Sequence, residues 1–183
     1  MAPGRRPRIR RYDRHAMDAK PAAESRSELV KWMGLTDASA AGSVHGGTVM
    51  KLCDEAAGLA AIKHSGCRVV TAAMDRMTFL YPVYVGDLLT CSSSVNAVWR
   101  TSMEVGVRVE AENPRTGERR HTSTAYLTMV ALDDETGRPT PAPPLAPETE
   151  AERRRERQAG LRRENRLAER DQIRGERDDD PSA

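Results

Sequence analysis

The segment that most constrains the fold is residues 48–64, TVMKLCDEAAGLAAIKH, which is apolar on nearly its whole helical circumference. One face carries apolar residues at helical spacing, namely Val49, Leu52, Cys53, Ala56, Leu59 and Ala60. The opposite face is also largely apolar, with Met50, Ala57, Ala61 and Ile62. A helix that is apolar all round must be covered all round. The pattern therefore predicts a long buried helix that begins after two glycines and ends at Ser65-Gly66.

The rest of the middle of the chain predicts β-strands. Residues 102–112 alternate apolar and polar side chains with a period of two, which is typical of a strand with one buried face. The loop NPRTG at 113–117 joins them to a return strand over 120–132. Further strands are predicted over 27–33, 69–78 and 88–99. One long helix among the strands of a single antiparallel sheet is an α+β arrangement.

Such a sheet, curling around one helix, covers one face of it and leaves an edge strand open. Pairing the edges of two copies would satisfy the open strand and bury more surface. We therefore expect at least a dimer.

The composition divides the chain into four parts. Overall it is 38% hydrophobic and 31% charged, but residues 27–136 hold nearly all the β-branched, Leu and Met content, which predicts one domain there. Residues 1–26 are rich in arginine and predict a basic, disordered arm. Residues 137–147 carry five prolines and predict a linker. Residues 148–183 predict a charged tail that is partly helical or disordered.

Charge and aromatic content argue against several classes of partner. The net charge is only +2, and there are two Trp, four Tyr and one Phe, so binding of nucleic acid is not expected. An alternative is that the arginine-rich ends bind RNA or an acidic partner, although the Glu and Asp of the tail oppose it. No apolar run approaches the roughly 20 residues of a membrane span, and the N-terminus does not resemble a secretory signal.

The cysteines and histidines lack the spacing of metal ligands or of a disulfide scaffold. They are Cys53, Cys67 and Cys91, and His15, His45, His64 and His121. These observations predict a reduced, cytoplasmic chain with cysteines as small hydrophobic residues and with no metal.

Asp54 is the leading candidate for chemistry. A carboxylate on a buried helix is costly unless it is paired or used, and nearby small residues such as Gly58 leave room for a ligand. The alternative is an ordinary ion pair with Lys51 or Arg76. Glu55 is better explained by a helical ion pair with Lys51, four residues earlier.

Gly46 and Gly47 are the second feature. Unpaired N–H groups at a helix N-terminus, together with glycines that allow close approach, can hold an oxyanion. A pair of glycines also marks many plain turns, so both interpretations stay open. His45 could hydrogen-bond near such a site or belong to the helix cap.

Several motifs follow one another in a specific order. They read GSVHGG at 42–47, MKLCDEAAG at 50–58, VVTA at 69–72, MD at 74–75, FLYPVYVG at 79–86, TSMEV at 101–105 and PETE at 147–150. In this order and spacing they resemble the hot-dog acyl-CoA thioesterases, of the type that contains cytosolic brain-type acyl-CoA hydrolases and bacterial short-chain acyl-CoA thioesterases. The resemblance covers roughly residues 27–150.

The resemblance implies a hot-dog fold, in which a curved antiparallel sheet wraps a long helix and two domains pair as a double hot dog. It implies hydrolysis of acyl-CoA to free CoA and a carboxylic acid, with CoA as part of the substrate and no cofactor. Because the chain holds one domain, a homodimer would build the site, and such dimers usually form trimers of dimers, which are hexamers.

The resemblance also implies roles for individual residues. Asp54 takes the position of the catalytic aspartate, as a general base or a nucleophile, and the backbone N–H of Gly47 takes the oxyanion position. Ser39 stands where the family usually has an asparagine supplied across the dimer, and Ser43 replaces a second one. His45 is grouped with these catalytic residues. The contacts to CoA are assigned to Gly46, Arg68, Arg100, Thr101 and Ser102.

The departure at Ser39 supports an alternative function. A hydroxyl could position the attacking water less well than an amide does. The chain could then be a catalytically weak hot-dog protein that binds acyl-CoA as a regulator.

Overall fold

The computed structural model describes residues 17–178, which form a five-stranded antiparallel sheet curled around one long helix, with a second long helix on the outside. In chain order the elements are β1 (Lys20–Pro21), α1 (Ala22–Ser25), β2 (Ser27–Trp32), α2 (Gly46–Ser65), β3 (Arg68–Met74), β4 (Leu88–Val98), β5 (Ser102–Glu112), β6 (Arg119–Leu132), β7 (Leu145–Ala146) and α3 (Glu150–Asp178). The order across the sheet is β2-β4-β5-β6-β3, so β2 and β3 are its two edges. This confirms the predicted α+β hot-dog architecture.

The central helix α2 confirms the helix predicted over 48–64. It ends at Gly66, whose φ of 68° is left-handed and suits a residue without a side chain. Its alanines at 56, 57, 60 and 61 are completely buried against the sheet. Because alanine side chains are short, the helix axis can lie close to the strands that wrap it.

One face of α2 is open, however, contrary to the expectation of a helix covered all round. Met50, Leu59 and Ile62 are 41%, 45% and 47% exposed. Val70 on the edge strand β3 is 46% exposed. The sheet of a single chain therefore covers only part of the apolar circumference that the sequence provides.

The strands begin and end close to their predicted bounds, with one exception. In β5 the apolar residues of the alternating pattern, such as Val105, Val107 and Val109, are completely buried. β3 ends at Met74, whereas the prediction extended to residue 78. The pairing of β3 with β6 shifts register between Thr71 and Ala73, and after Asp75 the chain leaves the ladder.

The structure differs from the predicted arm at residues 20–25. β1 pairs in parallel with β7, and Ser25 is buried and accepts a hydrogen bond from the backbone N–H of Val95. Ala22 is buried as well, so the arginine-rich composition of residues 1–26 does not describe this stretch. Residues 1–16 of the predicted arm lie outside the described residues.

The predicted linker and tail also follow the domain. Ala142 is buried, and its N–H donates to the carbonyl of Arg100. The tail forms one helix, α3, whose first turn is capped by Glu152 through the N–H groups of Glu148 and Thr149. Among the helices of residues 17–178, α2 and α3 included, none has the apolar length needed to cross a membrane.

Candidate active site

Asp54 and Thr71 meet on the open side of α2. The hydroxyl Oγ1 of Thr71, on β3, donates a hydrogen bond to Oδ1 of Asp54 at 2.5 Å. Asp54 is half-buried, and the sequence had suggested Lys51 or Arg76 as its partner. Lys51 instead lies 3.8 Å from Glu55, as predicted, and Arg76 pairs with Glu169 at 2.9 Å. The ion-pair alternative for Asp54 is therefore wrong.

This contact leaves one carboxylate oxygen of Asp54 able to act as a base. Thr71 occupies one carboxylate oxygen and fixes the plane of the group, while Oδ2 can accept a proton from a bound molecule. Thr71 was part of the motif VVTA, but no role was assigned to it from the sequence. The sequence signal for Thr71 is a hydroxyl inside the apolar run VVTAAM at 69–74.

His45 caps the start of α2. Its ring nitrogen Nδ1 accepts the backbone N–H of Gly47 at 2.9 Å, so His45 is the N-cap residue of this helix. A β-carbon at Gly47 would lie 3.0 Å from the same nitrogen, so a larger residue would press on the ring. An oxyanion that is to use the N–H of Gly47 must first displace this ring.

Phe79 forms an apolar wall beside the same helix start. Its Cζ lies 3.4 Å from the position that a β-carbon of Gly46 would take, so the bare backbone of Gly46 lets the ring come close. The ring is 45% exposed and therefore accessible to a ligand. Met50, one turn further along α2, is exposed on the same face.

Ser39 lies in a loop with its own internal hydrogen bonds. Its N–H donates to the carbonyl of Ser43 at 2.7 Å, and its hydroxyl accepts from the N–H of Ala41. At the base of the loop Asp37 is buried and bound by Lys31 and by the N–H of Gly34. The hydrogen bond from Lys31 lowers the pKa of Asp37, so this anchor stays charged. Within one chain these hydrogen bonds inside the loop fix the position of Ser39, and Asp54 takes no part in them.

Four of the residues assigned to CoA form a second group at the end of the sheet where β3 begins, whereas Gly46 lies beside Phe79 at the start of α2. Arg68 begins β3, three residues before Thr71, and is exposed. Its Nε lies 3.2 Å from Oδ1 of Asp134. The carbonyl of Thr101 accepts from the N–H of Ala131. Arg100 lines a cavity of about 950 Å³ together with Trp99. Strand geometry puts Arg68 roughly 10 Å from Thr71.

Within residues 17–178 no three His, Cys, Asp or Glu side chains are grouped as a metal site would require. Cys53 and Cys91 are completely buried, as expected for small hydrophobic residues, and a hydrogen bond to Cys91 together with burial raises the pKa of Cys53.

Comparison with known proteins identifies the family. Residues 41–118 match the model of the thioesterase superfamily. Protein VdlD of Helicobacter pylori is 42% identical over 123 residues, which are 67% of this chain and 70% of that protein. The cytosolic acyl coenzyme A thioester hydrolase of Rattus norvegicus is 38% identical over 133 residues, which are 72% of this chain and 35% of the rat protein.

Solved structures agree with these relatives. An apo-hexameric acyl-CoA thioesterase has a TM-score of 0.79 and 41% identity, covering 83% of this chain and 97% of its own. An acyl-CoA hydrolase from Staphylococcus aureus, solved with butyryl coenzyme A, coenzyme A and coenzyme A disulfide, has a TM-score of 0.79 and 33% identity, covering 87% of this chain and 97% of its own.

Proposed function

Because the chain belongs to the thioesterase superfamily of hot-dog acyl-CoA hydrolases, we propose that its catalytic centre is built around Asp54. The chain is an acyl-CoA thioester hydrolase that converts acyl-CoA and water to free CoA and a carboxylic acid. The observation that carries the proposed centre is the hydrogen bond from Thr71 to Asp54, which orients the carboxylate through Oδ1.

In the proposed reaction Asp54 acts as a general base. Its free oxygen takes a proton from a water, and the water oxygen attacks the thioester carbonyl carbon, whose π electrons move to the oxygen. The tetrahedral intermediate then collapses, the C–S bond breaks, and the thiolate of CoA leaves and takes up a proton. Attack by Asp54 itself, through a mixed anhydride that water then hydrolyses, is the alternative route.

The start of α2 is the proposed oxyanion site. The N–H of Gly47 and the positive end of the helix dipole would stabilise the developing charge. Gly47 lies two turns before Asp54, roughly 10 Å along the helix axis, so the N–H that stabilises a thioester at Asp54 is proposed to come from Gly47 of the partner subunit in a homodimer. His45 would move aside as the carbonyl oxygen arrives, and Phe79 beside Gly46 would contact the apolar part of the substrate.

We propose a homodimer that pairs through β3. This strand has a free edge, Val70 is exposed on it, and exposed apolar residues of α2 lie on the same open side. Ser39 is proposed to reach the catalytic centre of the partner, in the place of the asparagine usual in the family. Hexamers built as trimers of dimers are supported by the hexameric relative.

The remaining proposals concern the binding of CoA, the need for a cofactor, the cellular location and the partners. Arg68 and Arg100, with Thr101 and Ser102 next to Arg100 in the chain, would hold the phosphates of CoA at the end of the sheet where β3 begins. The reaction as written uses water and no cofactor. A cytoplasmic location is supported by the cytosolic rat relative, and nucleic acid is not an expected partner.

Thiol release from a panel of acyl-CoA thioesters tests the function directly. We expect wild-type protein to release free CoA from at least one chain length with saturation kinetics. A protein that binds acyl-CoA, as measured by calorimetry, but releases no thiol would contradict hydrolysis. It would favour the catalytically weak regulator that Ser39 suggests, and Ser39→Asn would then be expected to restore turnover.

Thr71→Val removes the hydroxyl that orients Asp54 while keeping the shape of the side chain. We expect kcat to fall about 10- to 100-fold, because a hydrogen bond to a charged group contributes about 1.5–3 kcal/mol. The matched variant Thr71→Ser keeps the donor and should retain most of the rate. Equal rates for the Val and Ser variants would show that the hydroxyl does not act on Asp54.

A further inference from the structure

The outer helix α3 is attached to the sheet by a row of arginines with helical spacing. Arg162 binds the buried Glu104 of β5 through Nε at 3.1 Å and Nη2 at 2.7 Å, and its guanidinium stacks 3.6 Å from the ring centroid of Tyr126 on β6. Arg166 follows one turn later and binds Asp75, directly after β3. The helix therefore crosses the outer face of the sheet from β5 towards the edge strand β3.

Asp75 and Arg166 form the more buried of two contacts between α3 and the segment just after β3, and the other joins the exposed Arg76 to Glu169 at 2.9 Å. Nη1 of Arg166 donates to both carboxylate oxygens of Asp75, each at 2.7 Å. The Arg166 side chain is 25% exposed and that of Asp75 15% exposed, so water screens this pair less than an ordinary surface pair. The N–H of Asp75 also donates to the carbonyl of Tyr126, which ties the same residue to β6.

Asp75 lies midway between two residues of the catalytic centre. Four residues before it, Thr71 donates to Asp54, and four residues after it, Phe79 lies against Gly46. The pairing of β3 with β6 shifts register just after Thr71. Regular strand pairing alone therefore does not determine the position of residues 71–79. The contact with α3 supplies a fixed point from outside the sheet.

We propose that Asp75 and Arg166 are positioning residues for the hydrolase reaction. They hold residues 71–79 from the outer face so that Thr71 and Phe79 keep their places on the inner face. Neither touches the proposed path of the substrate, and they act through Thr71 and Phe79. This inference rests on the proposed centre at Asp54.

Arg166→Met tests the proposal, with Arg157→Met as the matched control. Arg157 lies on the same helix and pairs with Glu150, where both side chains are more than 60% exposed. We expect Arg166→Met to lower kcat roughly tenfold or more, since a misplacement of about 1 Å can cost about 100-fold. KM should change much less, because Arg68 and Arg100 are not moved. The control should keep wild-type kinetics.

Hydrogen exchange gives a second readout that does not depend on activity. The N–H groups of Asp75 and Leu80 are hydrogen-bonded to Tyr126 and Thr122, and they should exchange at least about tenfold faster in Arg166→Met than in the control. The swapped pair, Asp75→Arg with Arg166→Asp, should recover most of the lost rate and protection.

Three results would overturn the proposal. One is unchanged kcat in Arg166→Met, and another is a loss of rate that merely follows the unfolded fraction at the assay temperature. The third is a swapped pair as slow as the single variant although folded. If wild-type protein releases no thiol, the proposed function fails instead, and the exchange experiment still decides whether α3 fixes residues 71–79.

Discussion

Asp54→Asn is expected to lower kcat for acyl-CoA hydrolysis by at least about 100-fold, since a positioned general base contributes roughly 10²- to 10⁴-fold. Asparagine keeps the size of the side chain and an oxygen that can accept from Thr71, so the local structure should survive. What is lost is the ability to take a proton from water. KM should remain within a few-fold, and thiol release in steady state measures both constants.

Glu55→Gln is the matched control. Glu55 is the neighbouring carboxylate on α2, but it is exposed and contacts Lys51 at 3.8 Å. We expect its variant to keep wild-type kcat, because an exposed helical ion pair contributes little. Equal losses in the two variants would mean that the helix, and not the carboxylate of Asp54, was disturbed.

Labelled water detects the nucleophilic route when water attacks the aspartyl carbonyl of the mixed anhydride. In a single turnover in ¹⁸O water, a general base delivers the label to the carboxylic acid product. A nucleophilic Asp54 would first transfer one of its own unlabelled oxygens, and the label would enter its side chain when water attacks there. We expect label in the acid and none in Asp54 after one turnover.

The inner half of the fold could be predicted from the sequence because its signals are local. The alternation in residues 102–112 and the apolar circumference of residues 48–64 each reflect burial against a neighbouring element. The helix start was predicted two residues late, because Gly46 and Gly47 are its first two residues and do not precede it. Asp54 could be identified as a candidate catalytic residue only by combining the predicted helix with the motifs around it.

The contacts of the outer face could not be predicted in the same way. Residues 20–25 and the helix α3 attach mainly through charged and polar groups, which on a single sequence look like solvated surface. Thr71 is 17 residues from Asp54, and Arg162 is 58 residues from Glu104. No periodicity links such pairs, and only the curl of the sheet brings them together.

Arg162→Met should be the most destabilising single change on the outer face. Glu104 is completely buried, and it binds Arg162 through both carboxylate oxygens and Asn96 through one. Removing the cation leaves a carboxylate that is buried and uncompensated, which typically costs about 3–5 kcal/mol. Because the Arg162 side chain is 23% exposed, water can enter beside it, and we expect about 3 kcal/mol. Urea unfolding at one fixed protein concentration measures the loss.

The double variant, Arg162→Met with Glu104→Gln, shows where that cost originates. Glutamine keeps an oxygen for the amide of Asn96 but carries no charge, so the desolvation penalty of the buried carboxylate disappears. We therefore expect the double variant to be more stable than Arg162→Met alone by at least about 1 kcal/mol. If the double variant is instead the less stable of the two, the lost stability comes from the packing of Arg162 on Tyr126 and not from the charge on Glu104.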